Sequence, residues 1–490
     1  MPPGTGVSPI GKKDSSYYAH STPTQPRHAA MTISRRRFVR SAAAVSLGFS
    51  GLRCAAPHAT DPTVPSEDLD PLPDDPERII ALPEGFSYTV ISRQGERMSD
   101  GFYVPARHDG MATFPRPDGT TLLVRNHEVS PEADASSSAF GADLSLVDQL
   151  DRSVFYDPGS GDTPPFGGTT TLLFDTQTQT LLSHHLSLVG TLVNCAGGPT
   201  PWGTWISCEE TVESAGGSLA RDHGYNFEVP ASLEGLPVTP TPLTAMGRFR
   251  HEAVAVHPPT GIVYQTEDVS DGLLYRFLPN SYGELEKGGS LQALAVRGDP
   301  SFDTRNFGGR GVEPGVQMQV EWLDMEDVES PDDDLRQRGF EAGAARFARG
   351  EGIWYGDQEI FIACTDGGEA RKGQIWRYRP SALEGSVAES DQPATLELFI
   401  EPNDGTMIEN ADNLTVAPWG DIIICEDGTG DDYLVGVTPQ GNIYKLARNL
   451  SGNGEFAGVC FSPDGTTMFV NMQSNGWTLA ITGPWGSARL

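Results

Sequence analysis

One phrase recurs along the chain and restricts the folds open to it more than any other feature. An acidic or amide residue begins an apolar run, which leads through Pro and a turn with Gly into a second apolar run. Full copies lie at 252–264, 412–424 and 455–469, and a looser copy lies at 194–206. Short runs of β-forming residues bounded by Gly, Pro and Asp are typical of strands joined by tight turns. Repeated strand–turn–strand units at intervals of some tens of residues predict a β-propeller.

The predicted architecture is all-β: a six-bladed β-propeller with long insertions between strands and a central metal cluster. Five or seven blades remain open, and a β-sandwich built from similar hairpins is the alternative. Helical periodicity is scarce, and its best candidate, around 332–346, is interpreted as an insertion. The predicted domain boundaries are a leader at 1–60 and one β-propeller domain at 61–490.

The repeat has a chemical consequence, because each copy begins its inner strand with a polar residue. Radial symmetry would bring Glu252, Asp412 and Glu455, together with Cys195, to one mouth of the central channel. Carboxylates that converge in this way resist ionisation unless cations lie among them. The sequence therefore predicts bound metal.

The leader carries a recognisable export signal. Residues 34–40 read Ser-Arg-Arg-Arg-Phe-Val-Arg, and a short run of small and apolar residues follows at 41–52. Paired arginines before such a run are typical of twin-arginine export, and the run is too short to span a membrane. We therefore expect a partner in the twin-arginine export machinery, a periplasmic or extracellular location and no stable membrane insertion. Met31 lies just before the motif, so residues 1–30 are interpreted as an overlong gene start.

Charge, cysteine content and missing motifs exclude some partners and some classes of enzyme, and they limit the possible disulfides. The net charge of −32 excludes a nucleic-acid partner, because a phosphate backbone requires a basic face. Beyond Cys54 the chain has five widely spaced cysteines, which leaves one or two disulfides possible and at least one cysteine over. Neither a nucleotide P-loop nor a Gly-x-Ser-x-Gly serine elbow occurs in the sequence.

Several stretches are denser in polar groups than a structural sheet requires. They contain Asn-Cys-x-Gly-Gly, Pro-Trp-Gly-Thr-Trp and Cys-Glu-Glu within 194–210, then Arg-x-x-His-Glu, Thr-Glu-Asp, Arg-x-Glu-Gly and Asp-Asn-Leu in order. Through these motifs the chain resembles the PhoX group of secreted alkaline phosphatases, over about residues 120–475. The resemblance implies calcium and iron as cofactors and small phosphate esters as substrates. It also implies a secreted metal-dependent phosphatase that releases phosphate from organic phosphomonoesters, with a metal-bound oxide or hydroxide as nucleophile.

The resemblance also implies roles for individual residues. Cys195 corresponds to the thiolate ligand of iron, and Arg349 to the arginine that binds phosphate. Arg349 and Glu252 are the implied catalytic residues. The implied metal ligands are Cys195, Glu210, Glu252, Glu351 and a late aspartate, for which Asp412 and Asp427 remain open. Glu267 and Asp268 are weaker candidates, and His127 and His251 are expected to have structural roles.

The chemistry of these residue types agrees with the resemblance. Calcium prefers six to eight oxygen ligands, whereas a thiolate suits iron better. Bound cations would reverse the local charge and attract a phosphate dianion. Arg349 would bind this dianion through two hydrogen bonds. Three alternatives remain: a calcium-dependent propeller esterase or lactonase, a phosphodiesterase, and a non-catalytic calcium-binding propeller.

Overall fold

The computed structural model describes residues 72–161, 163–309, 311–452 and 454–485. The predicted export signal, the remainder of the leader and Cys54 lie outside these residues. Within them, no helix combines the length and the apolar character needed to cross a membrane.

The described residues form 26 strands and one α-helix, α1 (Leu335–Ala342), which falls in the predicted insertion. The first thirteen strands are β1 (Ile80–Ala81), β2 (Ser87–Arg93), β3 (His108–Pro115), β4 (Thr121–His127), β5 (Gly167–Asp175), β6 (Thr180–Thr191), β7 (Asn194–Pro199), β8 (Thr204–Glu209), β9 (Asn226–Pro230), β10 (His251–Val256), β11 (Val263–Glu267), β12 (Gly272–Pro279) and β13 (Gly289–Val296). The others are β14 (Gln317–Asp324), β15 (Arg346–Phe347), β16 (Gly350–Gly356), β17 (Glu359–Cys364), β18 (Gln374–Arg379), β19 (Thr395–Ile400), β20 (Ala411–Val416), β21 (Ile422–Glu426), β22 (Tyr433–Val437), β23 (Ile443–Asn449), β24 (Phe456–Phe461), β25 (Thr467–Met472) and β26 (Trp477–Thr482).

These strands form five antiparallel sheets. Four are small: β3–β6 in sequence order, β7–β9 in sequence order, β1-β23-β22-β21-β20 and β2-β26-β25-β24. The fifth has ten strands, because β14 pairs both with β13 and with β19 and so joins the sheet that starts at β10 to the sheet that starts at β16. The number of separate sheets is therefore five, and it does not by itself give the six blades predicted from the sequence.

The sheets follow one another in a propeller-like ring. Each of the six hairpins β3–β4, β7–β8, β10–β11, β16–β17, β20–β21 and β24–β25 begins with a strand at the edge of its sheet. These first strands pack against one another in chain order, and β24 packs against β3 to close the ring. This closed arrangement differs from the two facing sheets of a sandwich.

The two ends of the described chain meet in the last sheet. Strand β2 pairs with β26, from Ser87 opposite Thr482 to Arg93 opposite Trp477. Strand β1 pairs with β23 in the preceding sheet. Because early strands complete late sheets, the ring is fastened by hydrogen bonds between parts of the chain that are far apart in sequence.

The core lies between successive sheets and includes large aromatic side chains. Trp205 is buried, and Trp419 stacks on Trp485 with ring centroids 5.6 Å apart. The five cysteines of the described chain are all buried and free, so the possible disulfides are absent from it. Apart from Cys195, they pack as small apolar side chains.

Candidate metal centre

The six hairpins share one backbone hydrogen bond, at the end opposite their turns. In each, the N–H of the residue that follows the second strand donates to the carbonyl of the residue that precedes the first strand, at 2.9–3.2 Å. A shift of register follows at once in every first strand. A bulge of this kind re-aims side chains at the end of a hairpin. The same local geometry is thus repeated six times around the ring.

Three positions recur at each hairpin end, and we name them by their place. The leading position precedes the first strand, the inner position is the second residue of the first strand, and the outer position follows the second strand. In ring order the inner positions hold Asp109, Cys195, Glu252, Glu351, Asp412 and Ala457. The outer positions hold Glu128, Glu210, Asp268, Thr365, Asp427 and Gln473. The leading positions hold Arg107, Val193, Arg250, Arg349, Asn410 and Glu455.

Metal-ligating side chains from these positions converge. Three groups each have ligand atoms that all lie within 4.8 Å of one another: Glu128 with Cys195 and Glu210, Glu252 with Glu351 and Asp412, and Asp412 with Asp427 and Glu455. Asp412 belongs to two groups, so the second and third are continuous. All six ligands predicted from the sequence lie in these groups, and both candidates for the late aspartate are among them.

Burial gives the cluster its electrostatic character. Glu252 and Glu351 are buried, and burial followed by repulsion from neighbouring carboxylates raises the pKa of each well above its usual value. The same two causes raise the pKa of Asp412 to about 7 and that of Glu455 to about 11. With no cation among them, these carboxyls therefore favour the neutral form.

The donor set fits a mixed metal site. The Cys195 thiol donates to Oε1 of Glu252 at 3.4 Å, whereas the buried Oε2 of Glu252 has no hydrogen-bond partner among the described residues. A buried oxygen without a partner is costly unless it coordinates a cation. Carboxylate oxygens suit calcium, and the thiolate form of Cys195 suits iron. The residues present can therefore hold both metals.

Arg349 lies at the edge of this cluster. Its Nε and Nη2 donate to the two carboxylate oxygens of Asp268 at 2.8 and 2.7 Å, and Nη2 is 2.9 Å from Oε1 of Glu351. Its side chain is 39% exposed, whereas Glu351 is buried. The guanidinium is therefore held between the buried carboxylates and solvent, where an arriving anion can reach it.

Of the two weaker candidates, only one joins the cluster. Asp268 contacts Arg349, but Glu267 accepts hydrogen bonds from the Leu273 N–H and the Tyr275 hydroxyl, both at 3.1 Å. Burial raises the pKa of Glu267 to about 7. Adjacent residues of a strand point to opposite faces, so the Glu267 carboxyl supports its own sheet while Asp268 reaches the mouth.

The two histidines have local partners. His251 donates from Nε2 to the Gly247 carbonyl at 3.0 Å and stacks on Phe249, with ring centroids 3.6 Å apart. His127 donates from Nδ1 to the Ala106 carbonyl at 2.8 Å, and its Nε2 accepts from Thr170. Both agree with the expected structural roles.

Sequence reasoning missed one member of the three groups and one acidic inner position beside them, and it left another member out of the ligand set. Asp109 and Glu128 were not predicted, and Glu455 was expected at the channel mouth without being assigned as a ligand. A signal for Asp109 was present, because 109–123 repeats the full phrase: an acidic residue, an apolar run, Pro115, a turn with Gly119 and a second apolar run. Glu128 follows the second strand of that copy, as Glu210 follows the second strand of its own.

Comparison with known proteins identifies a family and a fold. The sequence model of the family described as Alkaline phosphatase PhoX matches residues 68–154 and 165–476. PhoX of Pseudomonas fluorescens, solved with vanadate as a transition state analogue, is 17% identical, with a TM-score of 0.62 over 84% of this chain and 97% of that one. That likeness concerns the fold.

Other structural likenesses are weaker. A gluconolactonase from Xanthomonas campestris is 10% identical, with a TM-score of 0.38 over 81% of this chain and 98% of that one. An inactive variant of virginiamycin B lyase from Staphylococcus aureus is also 10% identical, with a TM-score of 0.35 over 81% of this chain and 99% of that one. No curated protein sequence matches the chain. The family match spans nearly all of the chain that forms the sheets, and the chain belongs to the PhoX family of alkaline phosphatases.

Proposed function

We propose that this metal-dependent phosphatase is exported and hydrolyses organic phosphomonoesters at a centre that holds calcium and iron. The observation that carries the proposal is the convergence of buried carboxyls and one thiol beneath the half-exposed Arg349. Such a site is anionic when empty and becomes an attractive site for phosphate once cations reverse its charge.

We interpret the ring as six blades within one catalytic domain at 61–490. Six hairpins with the same terminal hydrogen bond support this count, and the ten-stranded sheet then corresponds to two blades joined through β14. Residues 1–60 would be the leader, and the paired arginines at 35–37 support export by the twin-arginine route to the periplasm or beyond.

Cys195 is the proposed iron ligand, because it is the one thiol whose sulfur lies among the carboxylates of the described cluster. The proposed carboxylate ligands are Glu210, Glu252, Glu351, Asp412 and Asp427. Glu455 lies in the same group as Asp412 and Asp427, and three carboxylates in one group suit calcium. Glu128 is a further candidate beside Cys195.

When bound, the metals would supply the positive charge that draws in a phosphate dianion and activates water for attack on phosphorus. Arg349 contributes a fixed guanidinium at the edge of the site, and its fork geometry suits two oxygens of a phosphoryl group. Asp268 and Glu351 orient that fork. Oε1 of Glu252 lies at hydrogen-bond distance from the Cys195 sulfur, and both groups would release their protons to solvent on binding metal.

The vanadate bound by the Pseudomonas relative supports a site of this kind, because vanadate mimics a phosphoryl group in transfer. Diesterase or lactonase activity and a purely structural calcium site remain the alternatives. A diesterase would have to accommodate a second ester group beside Arg349, whereas a lactonase would have no need of either the arginine or a thiolate.

The test is to purify the folded protein without chelator and measure its iron and calcium content together with hydrolysis of p-nitrophenyl phosphate and bis(p-nitrophenyl) phosphate. We expect both metals and calcium-dependent cleavage of the monoester. Calcium without iron would overturn the mixed centre. Preferential cleavage of the diester would overturn the monoesterase assignment.

A further inference from the structure

A second arginine occupies the same hairpin position as Arg349. Arg107 holds the leading position of the β3–β4 hairpin, as Arg349 holds that of β16–β17. Both residues have φ of 51°, in the left-handed region of backbone conformation that residues other than Gly seldom adopt. Because φ, the closing hydrogen bond and the shift of register are alike at both hairpin ends, the two arginines hold equivalent positions in their hairpins.

The contacts of the two arginines are also alike. Nη2 of Arg107 donates to Oε2 of Glu128 at 2.9 Å, and Glu128 holds the outer position of its hairpin. Glu128 in turn lies within 4.8 Å of ligand atoms of Cys195 and Glu210. Arg107 therefore pairs with one carboxylate of the cluster, Glu128, as Arg349 pairs with Glu351.

The ring order sets the two arginines on opposite sides of the mouth. The first strands follow in the order β3, β7, β10, β16, β20 and β24 before the ring closes, so three steps in either direction separate the hairpin of Arg107 from that of Arg349. Arg250, at the leading position between them, is paired with Asp333 at 3.0 Å. Arg107 and Arg349 are thus the two leading-position arginines whose contacts are with residues at the mouth.

Arg107 keeps donors available for a ligand. Its side chain is 41% exposed, and its described contacts are the one to Glu128 and one from Nη1 to the Ser474 hydroxyl at 3.3 Å. A guanidinium has five N–H donors, so these contacts use two of them. A phosphate monoester held through its phosphoryl group on one side of the mouth would extend its organic part across the opening.

We propose that Arg107 is a specificity residue that binds a second anionic group on the substrate, such as a carboxylate or a further phosphate, while Arg349 and the metal centre hold the phosphoryl group that is cleaved. The proposal rests on the proposed function, because it assigns the far side of the same mouth. The substrate class is therefore phosphate esters that carry a second negative charge a few bonds from the scissile phosphate.

Two esters of matched size test this assignment: 3-phosphoglycerate, which has a carboxylate, and glycerol 3-phosphate, which has a hydroxymethyl group in its place. The measurement is the ratio of their kcat/KM values in the metal-loaded enzyme and in its variants. Arg107→Ala should lower the ratio of 3-phosphoglycerate to glycerol 3-phosphate at least tenfold, mainly through KM. Arg107→Lys should give an intermediate ratio, because it keeps the charge and loses the fork.

The matched control is Arg116→Ala, which removes a half-exposed arginine from the opposite end of the same hairpin, where it pairs with Asp118. The control should leave the ratio unchanged. An equal loss for both esters in Arg107→Ala, or no loss for either, would overturn the assignment of Arg107. Failure of the unaltered enzyme to hydrolyse any phosphomonoester would instead overturn the proposed function, so the two failures are distinguishable.

Discussion

The two ends of the six hairpins differ in how their polar groups are satisfied. At one end lie the acidic positions of the candidate metal centre, and at the other lie the tight turns that join the two strands of each hairpin. Both ends belong to the same strands, so the differences between them come from the residues at the ends. At the turns, the backbone's polar groups are paired by hydrogen bonds within the chain. At the acidic end, the carboxylates need a bound cation to balance their charge.

At the turn end, hydrogen bonds close each hairpin locally. The turns of the repeated phrase are closed by the bonds Arg116 N–H to Thr120 O, Thr200 N–H to Thr204 O, His257 N–H to Ile262 O, Ala417 N–H to Asp421 O and Ser462 N–H to Thr467 O, at 2.8–3.1 Å. In the β16–β17 hairpin, Asp357 and Gln358 make a two-residue turn in which both have positive φ. Positive φ at both central residues is the type I′ geometry, whose twist matches that of the flanking strands.

At the acidic end, the protein brings like charges together and buries them. Glu252 illustrates the difference, since one of its buried oxygens has no partner within the described residues. Residues close in sequence can make all the hydrogen bonds that a turn needs, but converging carboxylates need a cation from outside the chain. The turn end therefore stabilises the ring by itself, whereas we expect the acidic end to stabilise it only when metal is bound.

The largest expected effect is that of removing metal. A calcium chelator should abolish phosphatase activity and lower the free energy of unfolding, by about 4 kcal/mol for each ion that was present at a thousand times its Kd. Thermal unfolding in EGTA and in excess calcium, followed with activity, provides the measurement. If the unfolding midpoint is the same in both, the acidic end is stable without cations and does not differ from the turn end in this respect.

Replacing Cys195 tests the iron site. Cys195→Ala should remove bound iron and lower kcat by about 10²–10³-fold, because the thiolate ligand is lost. Cys208→Ala is the matched control, since Cys208 is equally buried but packs in an apolar cluster, and it should keep both iron and activity. Iron content is measured on the purified proteins. Retention of iron by Cys195→Ala would refute the ligand assignment.

Arg349 should matter for turnover more than for folding. Arg349→Ala removes a donor aimed at the phosphoryl group, and we expect kcat/KM to fall by about 10²-fold. Its calcium content should be little changed, because the guanidinium is not a metal ligand. Steady-state kinetics and metal analysis of the same preparation separate these effects. Activity equal to that of the unaltered enzyme would exclude Arg349 from phosphate binding.

The pH dependence of the metal-free protein should reveal the repulsion directly. The folded-state pKa of Asp412 is raised to about 7 from an ordinary 3.8, so its contribution to stability is present below pH 4 and is lost as pH rises through 7. The raised pKa of Glu455, about 11, extends this loss to higher pH. Urea unfolding between pH 5 and pH 8 should therefore show falling stability without metal.

Calcium should reverse that trend, because it binds the ionised carboxylates more strongly as pH rises. Glu252→Gln should weaken the fall in the metal-free protein while impairing calcium binding, since it removes a charge and keeps the shape. A metal-free protein whose stability rises between pH 5 and pH 8 would contradict the raised pKa values of Asp412 and Glu455.

The smallest effect is expected at the turn end. Gly420 has φ of +94°, and a Cβ there would have room, with Pro439 the nearest side chain at 3.9 Å. Gly420→Ala should therefore cost only backbone strain, about 1–2 kcal/mol of the free energy of unfolding. Metal content and kcat should not change. A loss of bound calcium in this variant would mean that the two ends are not independent.

Much of the fold was predictable because its signals are local. Alternating apolar runs, Pro and Gly at fixed offsets and the recurring phrase specify strands and turns within about fifteen residues. The joining of two sheets through β14 was not predictable, because that strand lies outside the recurring phrase and its partners in β19 are 76–80 residues further on. Sheet count depends on such distant pairings, and the sequence pattern does not encode them locally.

For the site, the sequence by itself determined which residue types recur at the start of inner strands, and the family motifs indicated Cys195 and Arg349. Only the tertiary structure decided which acidic side chains meet. Glu209 and Glu210 are adjacent, yet Glu209 accepts a hydrogen bond from the buried His223 at 2.7 Å, while Glu210 lies beside Cys195. Neighbouring residues at a strand end point to opposite faces, and the closed ring sets which face is the mouth.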